Sequence, residues 1–179
     1  LDPYDVWRLT AGLQVSFEAL LQDKLELNLV EGIILPNMKT SGENERCGFL
    51  NGEGRCSIHA LRPGFCRIFP LGRFYENHSF QYFLQVHECP REPKLKVKVQ
   101  KWIDTPDLKR NEKFIIDWHY FLKDVTARLG EQNGEQYQKM IDLYILKSFY
   151  QEEWEKDRDF YEQFDERLTK AKEILKISG

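Results

Sequence analysis

The amino-terminal part of the chain shows the spacing of two short helices. Asp2 before Pro3 is typical of a helix start, because aspartate caps the first turn and proline fits its first position. Ser16 is a second candidate cap, and the apolar residues that follow it recur at helical spacing. The pattern therefore predicts one helix from about residue 3 to 9 and another beginning after Ser16.

Alternating apolar residues replace this helical period from position 25 onward. Residues 25–30 and 33–35 predict two short strands joined by a tight turn, with Pro36 ending the second strand. Residues 37–78 are rich in Gly, Pro and Asn and predict a loop-dominated stretch, which in a compact domain needs a cross-link. A second hairpin is predicted from Arg73 to His87, with its turn around residues 77–78.

The remainder of the chain reads as mainly helical. The segment before Trp102 fits a helix, although its Lys/Val alternation leaves a strand open. A longer helix is expected from Pro106 to about residue 129, a break at 130–134, and helix again to about 177. The sequence therefore predicts an α+β fold: a small loop-rich cysteine domain with short β-hairpins and flanking helices (1–105), followed by a C-terminal helical region packed on it (106–179).

Composition and charge exclude several classes of protein. The 179 residues are 41% hydrophobic and 31% charged, with a net charge of −3, so neither wholesale disorder nor a dedicated nucleic-acid binder is expected. The charge is uneven: residues 46–101 contain ten Lys or Arg against four Glu, hence +6, which leaves −9 elsewhere. No apolar run approaches the roughly 20 residues of a membrane span, and the amino end does not resemble a secretory signal. We therefore expect a cytoplasmic protein with no membrane or nucleic-acid partner.

All the cysteines lie within the basic stretch, in turns rich in Gly and Pro. They are Cys47, Cys56, Cys66 and Cys89. Turns suit metal ligation, and Arg46, Arg55 and Arg67 stand beside three of the thiols, where positive charge lowers a thiol pKa. The spacing favours a thiolate metal site, but no C-x-x-C pair is present. Two disulfides and four unrelated thiols remain open as alternatives.

The kind of metal follows less directly from these residues. An all-cysteine donor set at wide spacing favours an iron–sulfur cluster, with zinc as the alternative. His59 and His87 lie near Cys56 and Cys89 in the sequence and are possible nitrogen ligands, although packing or a hydrogen bond is the preferred role of His59.

Three motifs carry a resemblance to a known family. They are Cys-Gly-Phe-Leu at 47–50, Gly-Arg-Cys-Ser-Ile-His at 54–59, and Arg-Pro-Gly-Phe-Cys-Arg-Ile-Phe-Pro at 62–70. Together with Asp5 and Arg8, they resemble the YkgJ-type cysteine-cluster family, a zinc- or iron-chelating domain related to flagellin lysine-N-methylase. The resemblance covers about residues 1–90.

The resemblance implies a site and a function. It implies Cys47, Cys56, Cys66 and Cys89 as metal ligands, with Arg62 and Arg67 donating to backbone carbonyls or sulfurs around the centre. The family carries a dense cluster close to C-x-x-C-x-x-C-C just before the segment that holds Asp5, so further cysteines are expected before Leu1.

The functional hypotheses fall into three classes. The first is a metal-binding protein with an iron–sulfur cluster or zinc. The second, the alternative to it, is a protein-lysine N-methylase-like enzyme that uses the cluster as cofactor. Whether the protein is an enzyme is left open, because membership of a broad family does not transmit one activity. The third is an interaction module: the C-terminal helices are candidates for contact with a protein partner or a second copy of the chain.

Overall fold

The computed structural model describes residues 1–42, 45–88, 96–131 and 134–177. Within these ranges helices and short antiparallel strand pairs follow one another along the chain, and the last third is helical. This arrangement confirms the α+β fold with a C-terminal helical segment. The helices are α1 (Pro3–Leu13), α2 (Phe17–Asp23), α3 (Gly64–Ile68), α4 (Val99–Ile103), α5 (Leu108–Glu131), α6 (Glu135–Leu146) and α7 (Phe160–Leu175). The strands are β1 (Leu25–Val30), β2 (Ile33–Met38), β3 (Thr40–Ser41), β4 (Arg46–Cys47), β5 (Leu71–Glu76) and β6 (Ser79–Leu84).

The two predicted helix caps are present. The side chain of Asp2 accepts a hydrogen bond from the backbone N–H of Asp5, and Ser16 accepts one from Ala19. Helix α1 runs to Leu13, one turn beyond the predicted end, and stops where Gln14 adopts a left-handed conformation.

The first hairpin joins β1 and β2 through a tight turn at Glu31 and Gly32, both with positive φ. The prediction that Pro36 ends the second strand was wrong, since β2 continues to Met38 and Pro36 lies opposite Leu27. A two-stranded sheet has only edge strands, and an edge strand tolerates a proline whose missing N–H is not needed by the ladder.

The second hairpin joins β5 and β6 and rests on α5. Asn77 and His78 both have a φ of 51°, which fits the predicted turn. Tyr75 of β5 stacks on His119 of α5 with ring centroids 3.7 Å apart, and Tyr82 donates a hydrogen bond to Glu112 at 3.2 Å. The bounds differ from the prediction at both ends, since β5 begins at Leu71, two residues before Arg73, and β6 ends at Leu84, three residues before His87.

The helical part differs from the prediction in two places. Gly130 does not break the long helix, because α5 runs through it to Glu131. The predicted helix after residue 134 is interrupted, because Trp154 lies in a connection between the π-helical turn Lys147–Gln151 and α7. There its ring packs against Phe160 at 4.5 Å and beneath the Arg167 guanidinium at 3.8 Å. The Lys/Val segment contains α4, so the helical alternative holds for residues 99–103.

One hydrophobic cluster joins the N-terminal elements to the C-terminal helices. It includes buried residues of α1, α2 and β2 as well as of α5, α6 and α7. Phe164 is fully buried and meets Phe114 edge to face, with ring centroids 4.5 Å apart. The C-terminal helices therefore pack directly on the elements that carry the cysteine loops, and the proposed boundary at 105/106 stays a prediction. None of the helices in the described ranges is long and apolar enough to cross a membrane.

Candidate metal centre

Cys47 lies at the end of a two-residue ladder that begins the cysteine-rich part. It pairs with Thr40, and the next residue, Gly48, donates its N–H to the carbonyl of Lys39 at 3.2 Å. The Lys24 ammonium donates in turn to the Gly48 carbonyl at 3.1 Å. These bonds attach the Cys47 turn to the end of α2, so the backbone there is held by the helical part of the domain.

Cys56 lies on a loop that folds back on the Cys47 segment. It forms an isolated antiparallel bridge with Leu50, and the Ser57 N–H and hydroxyl both donate to the Phe49 carbonyl, at 2.9 and 2.8 Å. Phe49 and Ile58 are 5% and 7% exposed and belong to the core. The bonds and the apolar anchors hold the Cys56 loop against the segment that follows Cys47.

Cys66 lies on the short helix α3. The Asp5 carboxylate accepts a hydrogen bond from the Gly64 N–H, the first of this helix, at 2.7 Å. Asp5 is 5% exposed, and the Gly64 N–H would otherwise have no partner within its own helix. A residue of α1 therefore fixes the helix that carries the third cysteine.

The three thiols are close enough for their charges to interact. Cys47, Cys56 and Cys66 are all free and all half-buried. Burial, together with the charges of Cys47, Asp5 and Cys56, raises the pKa of the Cys66 thiol to about 11, while Arg62 opposes them. Three cysteines from separate backbone segments thus share one local environment.

The described side chains do not by themselves form a closed metal cage. In residues 1–42, 45–88, 96–131 and 134–177, no three His, Cys, Asp or Glu side chains are close enough together to hold an ion. Cys89, the fourth predicted ligand, lies outside the described residues. His59 and His87 are both exposed. The three described cysteines nevertheless fit zinc or iron in their chemistry, since both metals bind thiolates.

The two arginines of the third motif have different surroundings. Arg67 is 7% exposed and donates to three backbone carbonyls, those of Arg62, Ala60 and Asp104, at 3.0, 2.6 and 2.7 Å. Of the two predicted roles for Arg67, these bonds fit the contact with carbonyls. Arg62 is the arginine whose charge lowers the Cys66 pKa, and its buried Nε has no hydrogen-bond partner among the described residues.

Sequence reasoning assigned no role to Asp5 and Arg8 in holding the cysteine loop. Arg8 donates to the Ala60 carbonyl at 2.6 Å, beside the bond from Arg67 to the same oxygen. A signal was present, because Asp5, Arg8 and Gly12 are spaced three and four residues apart and so share one face of α1.

A comparison with protein-family models matches residues 9–90 to the CxxCxxCC family, described as a "Putative zinc- or iron-chelating domain". This match confirms the resemblance found in the three motifs, over residues 9–90 of the chain. The spacing for which the family is named does not occur in the sequence. Neither the curated proteins nor the solved structures contain a match to the chain.

Proposed function

We propose that the region around α3 and β4 binds a metal centre through the thiolates of Cys47, Cys56 and Cys66, with Cys89 as a fourth ligand. The observation that carries the proposal is that three free, half-buried cysteines from separate segments inside the family match lie near enough for the charges of Cys47 and Cys56 to act on Cys66. Ionised cysteines that lie near one another repel each other, and a bound cation would offset this repulsion. Such a group of thiolates is therefore suited to bind a metal ion.

An iron–sulfur cluster is the preferred centre and zinc is the alternative. The donor set contains only sulfur, and the cysteines are separated by eight, nine and 22 intervening residues, which suits a cluster better than paired zinc ligands. Arg62 would then contribute positive charge near the Cys66 sulfur, where it would favour the ionised ligand. Reduced thiols also fit the cytoplasm as the place of action, since a reducing compartment preserves them.

The test is a metal and sulfide analysis of protein purified without oxygen. Iron with acid-labile sulfide and a visible absorption band would support the cluster, and zinc without sulfide would support the alternative. Loss of the bound metal in C47S, C56S and C66S would assign the ligands, and C89S tests the fourth. S57A is the matched control, because it removes the hydroxyl bond to Phe49 beside Cys56 and leaves every thiol in place. Well-folded reduced protein that binds neither iron nor zinc would contradict the proposal.

The methylase-like hypothesis comes only from the family resemblance. It requires that the protein bind S-adenosylmethionine and transfer its methyl group to lysine of a protein substrate. Calorimetric titration with S-adenosylmethionine decides it, and the absence of binding by metal-loaded protein would exclude this reaction.

Self-association through the C-terminal helices is a separate hypothesis. Leu143 on α6 is 68% exposed and Ile174 on α7 is 50% exposed, so both helices present apolar side chains to solvent. Sedimentation of the wild-type protein and of L143E tests it: a dimer that becomes a monomer in L143E supports this interface, and a monomeric wild-type protein excludes it.

A further inference from the structure

One face of α1 is complementary to the loop that leads into the Cys66 helix. Asp5, Arg8 and Gly12 lie on this face, and each meets a different residue of the segment 60–64. Asp5 accepts the hydrogen bond from the Gly64 N–H at 2.7 Å, and Arg8 donates to the Ala60 carbonyl at 2.6 Å. The loop is thus held at both of its ends by polar groups of a single helix.

Gly12 completes this contact by the absence of a side chain. A Cβ built on Gly12 would lie 2.5 Å from a methyl carbon of Leu61, much closer than real Cβ atoms approach. The leucine therefore packs against the bare backbone of α1. This close approach brings the loop near enough for the two polar contacts to form.

Of the three contacts that α1 makes with this loop, the hydrogen bond to Asp5 lies nearest to Cys66 in the sequence. Gly64 is the first residue of α3 and Cys66 is the third, so one hydrogen bond fixes the start of the turn that presents the sulfur. A helix of five residues has little stability of its own and takes its orientation from such contacts. Asp5 is buried and lies 59 residues away in the sequence, so its position is set by the core rather than by the loop.

We propose that Asp5 is a positioning residue for the metal centre: its carboxylate oxygen, through the Gly64 N–H, orients the short helix that presents the Cys66 sulfur to the metal. The inference rests on the proposed metal-binding function. It assigns to α1 a share in the centre although no α1 side chain is itself a ligand. Hydrogen bonds that orient a ligand-bearing segment contribute to the metal affinity of a site, because they fix the ligand before the metal binds.

The chain offers a matched control for Asp5. Asp142 on α6 is also 5% exposed, and its carboxylate accepts a hydrogen bond from the Ile34 N–H at 2.9 Å, across a separation of 108 residues. It therefore has the same burial and the same kind of long-range bond to a backbone N–H. The element that it holds is the β1–β2 hairpin, which carries no cysteine.

The experiment compares wild type, D5N, D5A and D142A, each checked for folding by circular dichroism. Asn keeps an oxygen that accepts from Gly64 and removes the charge, whereas Ala removes both. Metal affinity is measured by titration with Co²⁺, whose visible spectrum also reports the ligand geometry. The alkylation rate of each cysteine in the metal-free protein is measured by mass spectrometry at one fixed pH.

We expect D5A to bind Co²⁺ about tenfold or more weakly than D5N, as for loss of other contacts that orient ligands, with an altered spectrum. The alkylation rate of Cys66 should change more in D5A than in D5N, while the rates of Cys47 and Cys56 stay as in wild type. D142A should match the wild type in both measurements.

Two results would overturn the positioning role: D5A and D5N equal in both measurements, or D142A as impaired as D5A. Failure of the proposed function looks different, because the wild-type protein itself would then not bind metal. In that case a change of the Cys66 alkylation rate in D5A alone would still support the statement that Asp5 positions Cys66 in the metal-free protein. An unchanged Cys66 rate in D5A would overturn that statement too.

Discussion

The raised pKa of Cys66 leads to a sharp prediction about its reactivity in the metal-free protein. Only the thiolate is alkylated, and burial together with the charges of Cys47, Asp5 and Cys56 raises the Cys66 pKa from 9.0 to about 11. At pH 8 this shift lowers the thiolate fraction about a hundredfold relative to the unfolded chain. A thiolate of higher pKa is also the better nucleophile, which restores a factor of roughly six to ten and leaves a net slowing of about tenfold.

The assay is alkylation by iodoacetamide with peptide mass spectrometry, on reduced metal-free protein between pH 8 and 10. The same chain in urea is the reference, because it places the same thiol in water. The alkylation rate of native Cys66 should increase about tenfold per pH unit across this range, whereas the alkylation rate in urea should level off above pH 9. Simple steric protection would slow the native reaction at every pH, but the native rate would still level off above pH 9 as it does in urea. A native rate that levels off near pH 9 would refute the reasoning.

Three further predictions concern the stability of the fold. F164A should lower the free energy of unfolding by about 3–5 kcal/mol, because it empties a fully buried aromatic site, while F74A, at a residue 59% exposed, should change it by less than about 0.5 kcal/mol; urea titration measures both, and equal effects would contradict the described core. R167K should cost about 2 kcal/mol in the same assay, because the single ammonium nitrogen of lysine replaces the two guanidinium nitrogens that reach three carbonyls and the planar group that stacks on Trp154; a neutral result would contradict this. Burial, and secondarily the charge of Asp2, raises the pKa of Asp5 from 3.8 to about 7. As the pH rises, the unfolded chain therefore loses the Asp5 proton before the folded chain does. The wild type should accordingly lose stability relative to D5N between pH 4 and 7. A stability difference between wild type and D5N that stays constant over this range would refute it.

Local chemistry explains which parts of the fold were predictable. The caps at Asp2 and Ser16 and the turns at residues 31–32 and 77–78 depend on neighbours in the sequence, and each was found where its residues predicted it. The family motifs at 47–70 likewise identified the cysteine domain from contiguous residues. Where the signal is contained in a few consecutive side chains, reading the sequence is sufficient.

Contacts between distant segments explain what the sequence did not predict. Gly130 remains helical and Pro36 remains in a strand because the surrounding element tolerates them, which local propensity does not express. The bond between Asp5 and Gly64 joins residues 59 positions apart, and the face of α1 that makes it shows its partner only in the folded chain. The burial of Arg67 among carbonyls is hidden in the same way, because an arginine beside a cysteine suggests a charge effect first.

The central claim is that the thiols of this domain ligate a metal. X-ray absorption at the edge of the bound metal tests it most directly, since the distance to the nearest atoms identifies them. We expect a shell of sulfur at about 2.3 Å, which loses intensity in C66S. A first shell made only of nitrogen or oxygen at about 2.0–2.2 Å would contradict the claim.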